Sequence, residues 1–342
     1  MTVLRSPQTR RTQSQAAHRR LVAFLAFLSI LALASSVAGL IASTDPEGGS
    51  GFGDGLMSFG EDPAPPDDPP IVPAYRPLSE EVAPKGKYLA AKVAQEALTY
   101  SRGDSAAAIA RRLKKFGARV APAVLRPAVE PDSRSWAKTI YPQMSGITAE
   151  TMGAMVVTQQ RVEDSDGRVT SFSRVLDVRL VLTNGRWRLD ELASVGGSPA
   201  KRTSKLSAVA RQVLANRRID LPDSARWDVL RGEVSDPLLQ ALQDASSGTS
   251  FRVAVLKTGH PPNVWATDTP SAHSLGLAAD VWSVGGNPVL NQRETGSKAF
   301  ALAESFVAGG ALQVGSPWTF TTDGYSTFTD DVHQDHIHVQ QN

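Results

Sequence analysis

Five of the six histidines in this 342-residue chain fall between residues 260 and 338, and the chain has no cysteine. Without thiolates, a metal site must use imidazole nitrogen and carboxylate oxygen, both of which are zinc ligands. A catalytic zinc site uses three protein ligands and leaves one position for water. The histidines therefore indicate a metal site in this part of the chain; they are His260, His273, His333, His336 and His338.

The first two ligands are predicted within residues 271–280, which read SAHSLGLAAD. His273 and Asp280 lie seven residues apart, between a predicted loop and a predicted strand. Gly276 lets the chain turn between them without a Cβ conflict. The third ligand is expected from a strand over 336–340, where His336 and His338 share a face and point into one site.

The segment SAHSLGLAAD matches S-x-H-x-x-G-x-A-x-D and resembles the metal motif of the zinc D-alanyl-D-alanine carboxypeptidases. These enzymes cut peptidoglycan stem peptides, and the hedgehog signalling domain resembles them. The end of the chain, 335–339, reads DHIHV and is similar to the family's D-H-x-H segment. The resemblance covers about residues 200–342.

The resemblance implies one zinc ion held by His273, Asp280 and His338. It also implies that Asp335, three residues before the last ligand, is the general base. His336 or His333 would then hydrogen-bond the oxyanion of the tetrahedral intermediate. His260 is interpreted as a loop residue beside the site.

Two further residues are predicted on the substrate side. The family has an arginine, on the strand before the first motif, that binds the terminal carboxylate of the substrate. Lys257 follows the corresponding strand here, and a lysine keeps the charge but loses the bidentate geometry. Ser271 is expected to orient the motif loop through local backbone hydrogen bonds.

These features predict a zinc metallopeptidase that acts on peptidoglycan peptides, either a D,D-carboxypeptidase or a related wall peptidase. The alternative is a catalytically weak or inactive zinc-binding module that recognises cell-wall peptides. The acid at position 335 favours the enzyme, and the absent arginine favours the binding module. A third possibility is an amidase or endopeptidase of the phage-lysin type, which differs in the bond that is cut.

Around the motifs, residues 199–342 are predicted to form an α+β domain. Its helices are expected over 204–215, from Asp236-Pro237 to about 246, and over 297–308. Strands are expected over 251–256, 278–282 and 336–340.

Residues 76–198 are predicted to form a smaller α+β domain of unknown role. Helices are expected over 79–100 and 104–117, followed by an irregular stretch. An antiparallel meander should then begin at about 152 and turn at Asn184-Gly185, a strong hairpin signal.

The N-terminal residues predict a membrane protein. Residues 1–20 carry five arginines and no acid, so the rest of the chain has a net charge of −3 against +2 for the whole. A basic patch on the folded part is therefore not indicated, and nucleic acid is not an expected partner. Residues 21–42 contain no charge and are long enough to cross a bilayer.

The basic tail predicts that the N-terminus stays in the cytoplasm and that the later residues lie outside the membrane. The alternative is a signal peptide cleaved after Ser36-Val37-Ala38, which would give a secreted protein. Residues 43–75 are rich in proline, glycine and acids, which predicts an unstructured linker.

Overall fold

The computed structural model describes residues 67–201, 206–322 and 326–342. They form a mixed α+β structure, which confirms the predicted fold class. The predicted basic tail, the membrane anchor and most of the linker lie outside these residues. Within the described part of the chain, no helix is long and apolar enough to span a bilayer.

The first sheet is a four-stranded antiparallel meander in the order β1-β2-β3-β4. Its strands are β1 (Arg134–Ile147), β2 (Thr151–Glu163), β3 (Val169–Thr183) and β4 (Arg186–Ser194). The hairpin between β3 and β4 turns at Asn184 and Gly185, both with positive φ, as a tight two-residue turn requires.

Within residues 67–133, three α-helices precede this sheet: α1 (Pro84–Ala97), α2 (Ala106–Leu113) and the short α3 (Pro122–Leu125). Proline suits the first turn of α1, where its missing N–H has no partner to lose. Buried residues recur at positions 90, 93, 94 and 97, so α1 packs one face onto the sheet.

The second sheet has the order β10-β9-β11-β7-β6-β5, with β8 paired to β7. The pairs β5–β6 and β9–β10 are parallel and the others are antiparallel. Its strands are β5 (Ile219–Asp220), β6 (Phe251–Val255), β7 (Ala278–Val284), β8 (Asn287–Pro288), β9 (Gln313–Gly315), β10 (Ser326–Phe328) and β11 (Ile337–Gln340).

The helices of this half supply its main apolar core with the sheet. They are α4 (Ala208–Ala215), α5 (Asp223–Arg231), α6 (Asp236–Ala245) and α7 (Lys298–Ala308). Ser235 caps α6 by accepting a hydrogen bond from the backbone N–H of Leu238, and a proline follows in the first turn.

The two sheets pack against each other through a third apolar cluster. At its centre the rings of Tyr141 from β1 and Trp282 from β7 stack at 5.2 Å between centroids. Trp265, from the loop after β6, contacts the glycines of the first sheet: a Cβ at Gly146 would lie 2.1 Å from the indole. These contacts join the two halves, and the division into domains over 76–198 and 199–342 stays a prediction.

Two of the longer observed elements were not predicted. The stretch that we expected to be irregular contains β1, and α5 was not predicted at all. Both segments mix charged and apolar residues without a clean period. The end of the predicted linker is also partly held, since Gln95 donates to the carbonyl of Val72 and the N–H of Arg102 to that of Asp67.

A buried ion triad connects α1 with the C-terminal segment. The ammonium of Lys87 lies 2.7 Å from a carboxylate oxygen of Glu81 and also pairs with Asp335. All three side chains are almost inaccessible to solvent. Such a triad is tolerable only while the charges remain paired, because an isolated buried charge is costly.

We therefore expect Lys87→Met to lower the free energy of unfolding by about 3–5 kcal/mol, because it leaves two buried carboxylates without their cation. The matched control is Lys85→Met, which changes an exposed lysine on the same helix and should cost less than about 0.5 kcal/mol. Chemical denaturation of both variants measures the difference. Equal stability of the two variants would contradict the assignment of Lys87 to a buried triad.

Candidate metal site

The loop that carries His273 is shaped by its own sequence. Ser271 caps a short 3₁₀ helix, Ala272–Leu275, and its hydroxyl accepts a hydrogen bond from the N–H of His273 at 3.3 Å. Gly276 ends the turn with φ of 73°, and a Cβ there would lie 2.0 Å from the carbonyl oxygen of Glu233. Only glycine fits this position, so the loop geometry agrees with the sequence-based role of Ser271 and Gly276.

Strand pairing positions the other two predicted ligands. Asp280 on β7 and His338 on β11 are directly opposite in the antiparallel register. Side chains of directly opposed residues lie on the same face of a sheet. The pairing therefore brings together two residues that are 58 positions apart in sequence.

Three atoms of the predicted ligands converge on one point of this face. The Nε2 atom of His273 lies 3.1 Å from Oδ1 of Asp280 and 3.2 Å from Nδ1 of His338. The last pair, Nδ1 of His338 and Oδ1 of Asp280, is separated by 3.0 Å. Ligands about 2.0–2.1 Å from a tetrahedral zinc ion are about 3.3 Å apart, so the three residues fit a metal ion.

His260 provides an alternative third ligand. One atom each of His260, His273 and Asp280 lies within 4.8 Å of the others, so this group can also hold a metal ion. However, the rings of His260 and His273 stack at 4.1 Å with an angle of only 18°. Nitrogen lone pairs lie in the ring plane, so those of stacked rings do not converge well. The rings of His273 and His338 meet at 63°, which favours His338.

Hydrogen bonds from outside the ligand set orient two of the three ligand side chains, His273 and Asp280. Nδ1 of His273 lies 2.7 Å from the carbonyl oxygen of Leu256, which can only accept, so Nδ1 carries the proton and Nε2 keeps its lone pair. The second oxygen of Asp280, Oδ2, accepts from the amide of Gln143 at 2.7 Å. Gln143 belongs to β1, in the other half of the chain.

The electrostatics of the ligands suit metal binding. Burial lowers the pKa of His338 to about 4, which leaves the neutral imidazole that a metal requires. Burial alone would raise the pKa of Asp280, but the interactions with His273 and His336 outweigh it and hold that pKa well below its usual range. The carboxylate is therefore ionised at neutral pH.

Asp335 lies behind the site rather than in its cavity. Its Oδ2 accepts from Lys87 and from the N–H of Met144, and its Oδ1 accepts from Nδ1 of His336 at 2.7 Å. Burial would raise the pKa of Asp335, but Lys87 and His336 outweigh it and keep the pKa far below normal. His336 is thus held with Nε2 on the side of the ligands, 3.9 Å from Oδ1 of Asp280.

A cavity of about 770 Å³ opens above these residues. His333 and Ser271 line it, and Nδ1 of His333 is paired with Asp330 at 2.7 Å. Lys257 does not line it: its ammonium lies 3.7 Å from a carboxylate oxygen of Glu233. The structure thus brings seven of the eight predicted site residues to or beneath the cavity and leaves Lys257 outside.

Sequence reasoning missed Gln143 and Lys87. Both are separated from their partners in the site by more than 130 residues. A glutamine in a strand and a lysine in a helix carry no local signal of such a role. Comparison of the chain with known protein families, with curated proteins and with solved structures finds no match.

The choice between His338 and His260 as the third ligand is testable. We expect His338→Ala to abolish tight zinc binding, because it removes one of three convergent atoms. His260→Ala is the matched control and should retain one zinc ion per chain. Metal content after dialysis against a weak chelator measures both. The reverse result, with zinc kept by His338→Ala and lost by His260→Ala, would overturn the assignment.

Proposed function

We propose that this protein is a zinc-dependent peptidase that acts on peptidoglycan stem peptides outside the membrane. The observation that carries the proposal is the convergence of His273, Asp280 and His338 beside an open cavity. The uncharged segment 21–42 supports an extracytoplasmic location, with the chain held by a single span or secreted after cleavage.

Zinc is favoured by the chemistry of the ligand set. Two imidazole nitrogens and one carboxylate oxygen are typical of catalytic zinc, and three protein ligands leave one position for water. When bound at such a site, zinc lowers the pKa of water and polarises a carbonyl group.

We assign proton transfer to His336 instead of Asp335. In its neutral form, His336 directs the proton on Nδ1 at Asp335 and presents the lone pair of Nε2 beside the ligands. His336 would accept the proton of the attacking water and pass it to the leaving amine. Asp335 would act through His336, as a residue that orients the ring.

His333 has a smaller part in this mechanism. Its Nδ1 faces the carboxylate of Asp330, so the neutral ring has no second N–H to give. It can donate to an oxyanion only when it is doubly protonated, and burial opposes this by lowering its pKa. We therefore place His336, not His333, at the reacting bond.

The cavity lining bears on the bond that is cut. Among its described residues none is lysine or arginine, and the charged residues are Asp280 and Asp330. A free terminal carboxylate would therefore find no lysine or arginine side chain among the described residues that line the cavity. The apolar residues of the wall suit the short aliphatic side chains of a peptide substrate. They include Ile147, Val264, Trp265, Leu275, Leu277 and Phe328. Within the wall peptidases, this favours cleavage of an internal amide bond over removal of a terminal residue.

A non-catalytic zinc module that binds wall peptides remains the second candidate. The observation that favours it is the ion pair between Lys87 and Asp335. The sequence predicts Asp335 as the general base, and the ion pair engages its carboxylate. The two functions differ in one outcome: the module would bind stem peptides with zinc present and leave them intact.

The role of His336 is tested by substitution in the full-length protein. We expect His336→Ala to keep zinc, because it is not a ligand, and to lower hydrolysis of stem peptides by about 10²–10⁴-fold. His333→Ala is the comparison and should lose much less. Full turnover by His336→Ala, or a larger loss in His333→Ala, would show that another group carries the proton.

The lack of a lysine or arginine among the described lining residues has a consequence that paired peptides ending in a carboxylate or an amide can test. A charge-assisted hydrogen bond contributes about 1.5–3 kcal/mol, so without one we expect the two kcat/KM values to differ by less than about tenfold. Lys257→Met should leave the ratio unchanged. A strong carboxylate preference that Lys257→Met removes would restore the terminal-residue mechanism.

A further inference from the structure

The first half of the chain reaches into the metal site with two side chains. Gln143 comes from β1 and Lys87 from α1, and both are completely buried. No sequence feature assigned a role to residues 76–198. These two contacts connect that half of the chain to the chemistry of the other half.

Gln143 binds the oxygen of Asp280 that does not face the histidines. Its Nε2 donates to Oδ2 at 2.7 Å, while Oδ1 of Asp280 faces His273 and His338. The reverse orientation of the amide would place two oxygens together, so only Nε2 can face the carboxylate. This bond engages Oδ2, leaves Oδ1 to face the histidines, and fixes the orientation of the Asp280 carboxylate.

The carbonyl oxygen of the Gln143 amide lowers the stability of the fold. Its Oε1 is buried and has no hydrogen-bond partner among the described residues. An unsatisfied buried acceptor lowers stability. A side chain retained in such a position is better explained by its bond to Asp280 than by its contribution to the core.

Lys87 acts on the other side of the site. Together with the N–H of Met144 it occupies Oδ2 of Asp335, which leaves Oδ1 to accept from His336. The helix α1 thereby determines which oxygen orients His336. Gln143 is thus one hydrogen bond away from a ligand, and Lys87 is two hydrogen bonds away from the proposed proton acceptor, His336, through Asp335.

We infer that the first half of the chain completes the metal site, with Gln143 as the positioning residue for Asp280 and Lys87 as that for Asp335 and His336. The inference rests on the proposed metal site. Substitution of a residue that orients a ligand in this way typically weakens metal binding by about 10–100-fold. Residues 199–342 contain all three ligands but none of this support.

The experiment measures zinc affinity of the full-length protein by competition with a chromogenic chelator. We expect Gln143→Met to weaken zinc binding by about 10–100-fold, because methionine fills the space without donating to Asp280. The matched control is Thr139→Val. Thr139 lies on the same strand, is also buried, and donates only to the carbonyl of Ala91. Its substitution should leave zinc affinity unchanged.

A second variant covers the case in which Gln143→Met does not fold. Gln143→Asn keeps an amide but withdraws it by one methylene, and it should weaken zinc binding in the same direction. Wild-type affinity in a foldable Gln143 variant would overturn the inference and leave the metal site intact. Failure of the wild-type protein to bind zinc would instead remove the proposed function, and the two failures are thus distinguishable.

Discussion

The pairing of β7 with β11 is the constraint on which the site depends. It places Asp280 opposite His338 and so brings one carboxylate and one imidazole to the same face. The turn at Gly276 then returns His273 to this pair from only seven residues away. A shift of the register by one residue would turn His338 to the opposite face of the sheet and dismantle the set.

Around this set, the molecule buries more charge than stability alone would favour. Lys87, Glu81 and Asp335 form a desolvated triad, and replacing such groups with apolar residues is often neutral or stabilising. Asp335 of this triad accepts a hydrogen bond from His336, which lines the cavity. Its position suggests to us that the charges are kept for the orientation of that imidazole, at some cost in folding free energy.

Sequence reasoning succeeded where the signal was local. The β3–β4 hairpin follows from Asn184-Gly185, and the two short motifs led us to expect that the side chains of His273, Asp280 and His338 lie close together, as they do. It failed where the signal was long-range. Nothing near Gln143 indicates an acceptor 137 residues away, and the mixed polarity of β1 hid the strand itself. The orientation of Asp335 was equally inaccessible, because it depends on a lysine from a distant helix.

The central claim is that one zinc ion is held by two imidazoles and one carboxylate. Zinc K-edge X-ray absorption of the zinc-loaded full-length protein tests it most directly, because outer-shell scattering counts the imidazole rings. We expect two imidazoles, and we expect the remaining ligands to be oxygen atoms at about 2.0–2.2 Å from the zinc ion. A spectrum that requires three imidazoles would mean that a histidine replaces Asp280 as a ligand or that His260 is an additional ligand. A protein that retains no zinc would contradict the account altogether.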